Sequence, residues 1–143
     1  MGQGQVVCHH DPGPNNVVFR GGKPSAFIDF DMAAPGEPLE DIGYMAWTWC
    51  ISSRPDRSPS AYQAVQVRLL AVAYGLGSSD REKMIRAALK RQELNLHFWK
   101  THLANGAQTH SACTEEIQDR IDWTQREMTY TQANQTSFER ALE

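Results

Sequence analysis

The sequence predicts an α+β domain that is mostly α, with one short β-hairpin near its N-terminus and about four helices after it. Two short apolar runs, residues 17–19 and 26–30, flank glycine, lysine and proline. Such runs around turn-forming residues are typical of paired strands. From residue 39 onward, apolar residues recur three and four positions apart. That spacing is typical of amphipathic helices.

Length and composition indicate a single globular domain over residues 1–143. The chain has 143 residues, of which 41% are hydrophobic and 22% are charged. This balance is that of a folded domain and not of a disordered chain. The net charge of −3 gives no basic surface for nucleic acid, so we predict no nucleic-acid partner.

Localisation is predicted from the termini, the hydropathy and the cysteines. The chain opens without a charged and apolar leader, and no apolar stretch is long enough to cross a bilayer. The three cysteines, Cys8, Cys50 and Cys113, are widely spaced and form neither a disulfide framework nor a zinc pattern. We therefore expect a cytoplasmic protein without a membrane partner.

A polar loop before the hairpin carries the residues with the clearest chemistry. Asp11 lies five positions before Asn16, and Asp29 and Asp31 close the second apolar run. If the two runs pair antiparallel, the end of the second returns beside the start of the first. Asp29 and Asp31 would then share one strand face near Asn16 and Asp11. Oxygen ligands of this kind suit Mg²⁺, and Asp11 would be placed to orient or deprotonate a hydroxyl.

Each of these pieces also has an ordinary interpretation. A single His-x-Asp is common, and Asp29 and Asp31 suit any strand that enters a loop. The adjacent His9 and His10 do not predict zinc, because no cysteine or histidine partners follow at ligand spacing. We expect His9 to pack behind the loop as structural support.

Taken together and in order, the motifs resemble a known family. His9-x-Asp11-x-x-x-x-Asn16 is followed by Ile28-Asp29-Phe30-Asp31 and then by Pro38-Leu39-Glu40-Asp41-Ile42-Gly43. This series, over about residues 6–49, resembles the aminoglycoside phosphotransferase and choline kinase family, which has a protein-kinase-like fold. The resemblance implies that Asp11 is the catalytic base and that Asn16, Asp29 and Asp31 serve the metal. It also implies that Asp41 braces the catalytic loop.

The resemblance implies the C-terminal lobe of that fold. The catalytic loop and metal-site hairpin would occupy residues 6–35, and a helical subdomain residues 36–143. The implied cofactor is Mg²⁺, with ATP as phosphoryl donor and a small-molecule hydroxyl as substrate. Antibiotics, choline, sugars and other amino alcohols remain open as substrates, and no substrate-binding residue is identified.

The helical part is predicted from periodicity and from capping residues. The first helix begins near Leu39, the second runs from Ser58-Pro59 to about Leu76, and the third opens at Ser79 and ends near residue 105. The last runs from Thr114 almost to the C-terminus. We expect these apolar stripes to face a core or an interface: Ile42, Met45, Ala46 and Trp49; Tyr62, Val65, Leu69, Val72 and Leu76; Ile85, Leu89, Leu96, Trp99 and Leu103; Ile117, Ile121, Met128 and Phe138.

The last helix also carries a series of acidic residues that has two interpretations. They form an ordinary solvated face, or they bind a cationic substrate, as late helices do in the family resembled. The residues are Glu115, Glu116, Asp119, Asp122 and Glu127.

The sequence does not supply a nucleotide-binding lobe. In the family resembled, that lobe precedes the His-x-Asp motif, yet only eight residues precede His9 here. Gly2-x-Gly4 stands too close to the start to cover a phosphate, and none of the four lysines lies on a suitable strand. We therefore expect a lobe that is incomplete and inactive alone. Apolar surface near Val6, Val7 and the hairpin would be covered by a second copy or by the missing lobe. The alternative is a non-catalytic binding or immunity-type protein built on the same lobe.

Overall fold

The computed structural model describes residues 5–106 and 114–143 and is mostly helical, as predicted. Gly2, Gly4 and Cys113, which entered the sequence predictions, lie outside the described residues. The strands are Val6–Cys8 (β1), Val17–Arg20 (β2), Lys23–Phe27 (β3) and Ala34–Gly36 (β4). The helices are Pro38–Met45 (α1), Ser60–Tyr74 (α2), Ser78–Ala104 (α3), Thr114–Ala133 (α4) and Gln135–Leu142 (α5).

The predicted hairpin is formed by β2 and β3. The strands are antiparallel, with Val17 opposite Phe27, and Gly21 and Gly22 make the turn at φ of +57° and +76°. A tight turn of this hand requires positive φ at both central residues, which glycine adopts without strain.

The end of the hairpin differs from the prediction. The second strand stops at Phe27 and does not continue to residue 30. The Ile28 N–H still donates to the Asn16 carbonyl over 3.0 Å, but Asp29 then adopts a φ of +63°. A residue with positive φ turns the chain out of the extended ladder. The prediction that Asp29 and Asp31 share one strand face was therefore wrong.

A second antiparallel pair, β1 with β4, was not predicted. Val6 lies opposite Gly36, and Cys8 lies opposite Ala34. The pair joins the start of the polar loop to the residues just before α1. It therefore fixes the loop that begins at His9 against the N-terminal end of that helix.

The core lies between α1, α2, α3 and α5. Gly43 lets α1 approach α3 closely, since a Cβ at this position would lie 2.7 Å from the backbone carbonyl carbon of Ala87. After α1 the chain makes a π-helical turn, Ala46–Cys50, closed by the Ile51 N–H on the Ala46 carbonyl at 2.9 Å. The buried core residues include Ile42, Ala46, Ile51, Val67, Ala71, Met84, Ile85, Ala88, Phe138 and Leu142.

The buried face of α2 is not the one with the largest apolar residues. Its buried residues are Gln63, Ala64, Val67 and Ala71. The Gln63 amide donates to the Ser52 and Ser58 carbonyls, so its polar end is satisfied. The stripe expected to face a core or an interface is exposed at Tyr62, Val65, Leu69 and Val72.

The C-terminal helix expected from the sequence is divided in two at Asn134. Asn134 has a φ of −107°, and its side-chain amide donates to the Tyr130 carbonyl over 2.9 Å. The short α5 that follows buries Phe138 and Leu142. Across the described ranges, no helix combines the length and apolar character needed to span a membrane.

Candidate functional site

The loop that begins at His9 is held by the first turn of α1. The two carboxylate oxygens of Asp41 accept the backbone N–H groups of His9, at 2.7 Å, and His10, at 2.8 Å. His10 has a φ of +64°, which is uncommon for a residue other than glycine. Asp41 therefore holds the loop in a conformation that its local sequence does not favour. This geometry suits the bracing role predicted for it.

His9 connects the loop to the hairpin. Its Nε2 lies 2.9 Å from the Ile28 carbonyl, and its Nδ1 accepts the Asp11 backbone N–H at 3.3 Å. These two contacts together select the tautomer with the proton on Nε2. The ring also packs on Phe27 and Phe30, with centroid distances of 5.7 and 4.5 Å. His9 therefore lies behind the loop, as expected of a supporting residue.

Three further side chains hold the same loop. Arg91 of α3 donates to the His10 carbonyl over 2.7 Å, and the Trp49 indole donates to the Pro12 carbonyl over 2.9 Å. The His10 ring contacts Glu40 at 3.0 Å. These partners come from distant parts of the chain, so local sequence patterns do not predict them.

Asp11 and Asn16 lie side by side within this loop. The Asn16 amide nitrogen donates to the Asp11 carboxylate over 2.9 Å and to the Asp11 carbonyl over 3.0 Å. These bonds use the amide nitrogen and leave the amide oxygen for another partner. Burial raises the pKa of Tyr44 well above its usual range, and contact of its hydroxyl with Asp11 raises it further. Asp11 is thus held between an amide donor and a protonated phenol, and it is partly exposed.

Asp29 and Asp31 follow β3 in the chain, and both are exposed. The Ile28 N–H donates to the Asn16 carbonyl, so Asp29 directly follows a residue that is hydrogen-bonded to Asn16. Among the described residues, the carboxylates of Asp11, Asp29 and Asp31 do not all lie within 4.8 Å of one another. Asn16 with Asp29 remains a predicted ligand pair, and Asp31 remains a predicted auxiliary.

A cluster missed by sequence reasoning lies on the opposite side of the loop. Side-chain atoms of Cys8, His10 and Glu40 lie within 4.8 Å of one another. The Cys8 thiol donates to the Glu37 carbonyl, and burial raises its pKa to about 11. The His10 ring contacts Glu40 at 3.0 Å, so all three side chains make hydrogen bonds that support the loop.

A cavity of about 810 Å³ opens beside Asp11 and Asn16. Its wall combines aromatic rings with four arginines. These residues are scattered along the chain from Tyr44 to Trp123, so no local sequence pattern predicts them. The aromatic residues are Tyr44, Trp47, Phe98, Trp99 and Trp123, and the arginines are Arg54, Arg57, Arg91 and Arg120.

Two arginines of this cavity lie over aromatic rings, and its buried glutamate, Glu127, is hydrogen-bonded. The Arg91 guanidinium lies 5.4 Å from the Tyr44 ring centre, and that of Arg120 lies 4.6 Å from the Trp99 ring centre. Glu127 is 1% exposed, and one of its oxygens accepts both the backbone N–H and the hydroxyl of a serine, Ser53. The other acidic residues of the predicted series are exposed: Glu115, Glu116, Asp119 and Asp122.

Comparison with known proteins supports the family resemblance. A profile of the phosphotransferase enzyme family matches residues 2–85. The trifolitoxin immunity protein of Rhizobium leguminosarum bv. trifolii is 34% identical over 88 residues, which cover 57% of this chain and 34% of that protein. The chain thus spans about a third of the length of that relative. No solved structure matches the chain. Since the family profile covers more than half of its residues, the chain belongs to the phosphotransferase enzyme family.

Proposed function

We propose that this chain forms the C-terminal lobe of a small-molecule kinase, an ATP-dependent O-phosphotransferase with a protein-kinase-like fold. The observation that carries the proposal is the Asp11–Asn16 pair at the mouth of the cavity, in a loop held by Asp41 and His9. A carboxylate beside an amide, with a cavity in front, is the arrangement that phosphoryl transfer to a hydroxyl requires.

In this proposal Asp11 acts on the acceptor hydroxyl. A hydroxyl in the cavity would donate to the Asp11 carboxylate, which orients the oxygen and receives its proton as the bond to the γ-phosphorus of ATP forms and the bond from that phosphorus to ADP breaks. The Asn16 amide and the Tyr44 hydroxyl both contact Asp11 and limit its rotation. Because phosphoryl transfer depends chiefly on positioning and charge, this restraint is a direct contribution to rate.

The donor set near Asn16 fits Mg²⁺. The Asn16 amide oxygen is not used in the bonds to Asp11, and Asp29 is exposed at the adjoining position of the chain. Hard oxygen ligands of this kind, completed by phosphate and water, are those Mg²⁺ prefers. Asn16 and Asp29 would hold the ion, and Asp31 would assist through water. When bound, the ion neutralises charge on the transferred phosphoryl group.

We further propose that the nucleotide is held by groups outside the described residues, which makes this chain inactive by itself. Large apolar side chains of β1, the hairpin and the loop after it are exposed, with Val7 63%, Phe30 56% and Met32 66% exposed. Exposed apolar side chains that are grouped on a surface mark sites of contact with another surface. A nucleotide-binding N-terminal lobe or a second copy of this chain would cover it.

A second candidate function is that of a non-catalytic, immunity-type binding protein. The observation that favours it is the 34% identity to the trifolitoxin immunity protein over 88 residues. Such a protein would use the cavity to hold a ligand and would not need Asp11. The two candidates therefore differ in their dependence on Asp11.

The test is ADP release from Mg-ATP with aminoglycosides, choline and sugars. We expect no turnover from the chain alone, since correct positioning supplies about 7–11 kcal/mol in such reactions and the nucleotide is not held. Adding an N-terminal lobe of a family member in trans should restore turnover, and Asp11→Asn should abolish it. Asp119→Asn, which changes an exposed carboxylate of α4, is the matched control.

Two results would contradict these proposals. Turnover near about 1 s⁻¹ by the isolated chain, lost in Asp11→Asn, would contradict inactivity alone, because rates of this order are those of complete kinases. Ligand binding that is unaffected by Asp11→Asn, with no turnover under any condition, would favour the binding protein.

A further inference from the structure

The cavity beside Asp11 is lined by four arginines and by only two acidic residues among the described part of the chain, which does not suit a polycation. We propose that it takes an anionic substrate, a small molecule that carries a carboxylate or phosphate together with a flat apolar ring. This inference rests on the proposed function, because it concerns the substrate of the same site. It is carried by the arginines, the aromatic wall and the presence of a single accessible carboxylate, Asp11, among the described lining residues.

The cationic part of the cavity is formed by Arg91 and Arg120. Both line the cavity together with Asp11, and the Arg91 guanidinium lies 5.4 Å from the centre of the Tyr44 ring. Arg91 uses one nitrogen on the His10 carbonyl, and Arg120 stacks on Trp99. Neither makes an ion pair with a carboxylate within 4.0 Å in the described part of the chain. An anion in the cavity would be the counter-charge for both.

The other charged groups of the wall do not reverse this balance. Arg54 is paired with Asp56 at 2.7 Å, and Arg57 donates to the Trp49 carbonyl over 3.0 Å. Glu127 is buried and hydrogen-bonded to Ser53, so a ligand does not reach its carboxylate. This leaves Asp11 as the accessible carboxylate among the described residues that line the cavity. A polycation would therefore meet more arginines than accessible carboxylates.

Two hydrogen-bond donors of the wall are unsatisfied. The Trp47 indole N–H and the Arg91 Nε–H have no acceptor in residues 5–106 and 114–143. Both side chains line the cavity, although the two donor atoms are buried. An unpaired buried donor costs about 1–3 kcal/mol, so an acceptor oxygen would stabilise either donor once a neighbouring side chain shifts to admit it.

The aromatic part of the wall is suited to a flat ring. Trp47 and Trp123 are stacked, with ring centroids 5.0 Å apart, and Phe98 lies edge-on to Trp99 at the same distance. Phe98 is 56% exposed and Trp123 37% exposed, so both present ring surface to a ligand. Ring faces of this kind bind aromatic groups and exclude water. A cavity of about 810 Å³ accommodates a small molecule of ordinary size.

The experiment compares three phenols of similar size whose side chains carry a negative charge, no charge and a positive charge: 4-hydroxyphenylacetate, 4-ethylphenol and tyramine. Each is titrated into the full chain, and binding is followed through the indole N–H signals of Trp47, Trp99 and Trp123 in ¹⁵N-correlated NMR spectra. We expect 4-hydroxyphenylacetate to bind about tenfold more tightly than tyramine, as expected of a charge-assisted hydrogen bond, with the neutral phenol between them. Arg120→Gln should remove this preference, and Arg120→Lys should retain most of it.

Arg86→Gln is the matched control, since Arg86 lies exposed on α3 and does not line the cavity. It should leave the preference unchanged. Tighter binding of tyramine, or an equal preference in Arg120→Gln and the unchanged chain, would overturn the inference. Changes confined to the backbone amide signals of the hairpin, with the indole signals unchanged, would also overturn it. Binding of these phenols needs no nucleotide, so the charge preference is tested independently of turnover. Asp11-dependent turnover with a reversed preference would leave the proposed function in place and end this inference.

Discussion

Asp41 accepts the backbone N–H of His10 over 2.8 Å, although 31 residues separate the two in sequence. His10 has a positive φ, a conformation that costs about 1–3 kcal/mol unless surrounding contacts impose it. The same carboxylate holds His9, and Arg91 holds the carbonyl of His10. The position of Asp11 therefore depends on helices that lie far along the chain.

Asp41→Asn tests this dependence. Asparagine has a single acceptor oxygen, so one of the two loop N–H groups would face an amide donor. An unsatisfied, partly buried N–H costs about 1–3 kcal/mol, and we expect the free energy of unfolding to fall by that amount. Urea denaturation followed by circular dichroism measures it. Asp119→Asn removes an exposed carboxylate on α4 and should have little effect. Equal losses for both variants would show that Asp41 does not brace the loop.

The close approach of α1 and α3 predicts that Gly43 does not tolerate a methyl group. In Gly43→Ala the new Cβ would lie 2.7 Å from the Ala87 carbonyl carbon and 2.9 Å from the Ala88 nitrogen. Backbone atoms cannot move aside cheaply, so we expect a loss of about 1–3 kcal/mol in the free energy of unfolding.

Gly77→Ala is the comparison for Gly43→Ala. No atom lies within 4 Å of the Cβ position at Gly77, which precedes α3. Its expected cost is limited to the weaker N-cap, at most about 1 kcal/mol. A Gly43→Ala variant as stable as Gly77→Ala would contradict the helix packing described here.

The buried thiol of Cys50 predicts a loss of stability in alkaline solution. Burial raises its pKa from 9.0 to about 11. The folded state then keeps a proton that the unfolded state releases above pH 9. The contribution to stability is therefore complete below pH 9 and is lost as pH rises from 9 to 11. We expect a decrease of about 2 kcal/mol over that interval. Unfolding at pH 8, 9, 10 and 11 measures it.

Cys50→Ala provides the control for the pH series. Alanine has no titrating group, so the part of the slope that Cys50 supplies should disappear. The variant should also be less stable at pH 8, because removal of the sulfur leaves space in the core. An unchanged slope between pH 9 and 11 would show that Cys50 titrates as freely in the folded protein as in the unfolded chain.

Local sequence patterns predicted the elements but not all of their ends. The hairpin followed from Gly21 and Gly22, whose conformational freedom selects a tight turn. Its end did not follow, because Asp29 leaves the ladder through a left-handed conformation that strand propensity does not encode. The break at Asn134 is similar, since its side chain caps the preceding turn and competes with the helix.

Packing and the cavity were less predictable than the elements. The expected stripe of α2 was chosen by side-chain size, yet the helix buries Ala64 and Ala71, which allow closer approach. The cavity arginines lie on three segments with no shared spacing. Arg91 contacts the loop across 81 residues of sequence, a separation at which pattern reasoning has no information. Motifs therefore located the reactive loop, and tertiary structure was needed to locate the wall opposite it.

The measurement that tests the proposed site most directly is paramagnetic broadening by Mn²⁺ in the presence of ATP and of an N-terminal lobe supplied in trans. We expect small additions of Mn²⁺ to broaden the NMR signals of the Asn16 side-chain amide and the Asp29 backbone amide. The broadening should be weak without nucleotide, because such ions rely on phosphate oxygens as ligands. Asp29→Asn should abolish the broadening, whereas Asp11→Asn should preserve it, because Asp11 is proposed as the base. Broadening that persists in Asp29→Asn, or that centres on the Cys8–His10–Glu40 cluster, would contradict a phosphoryl-transfer site at this loop.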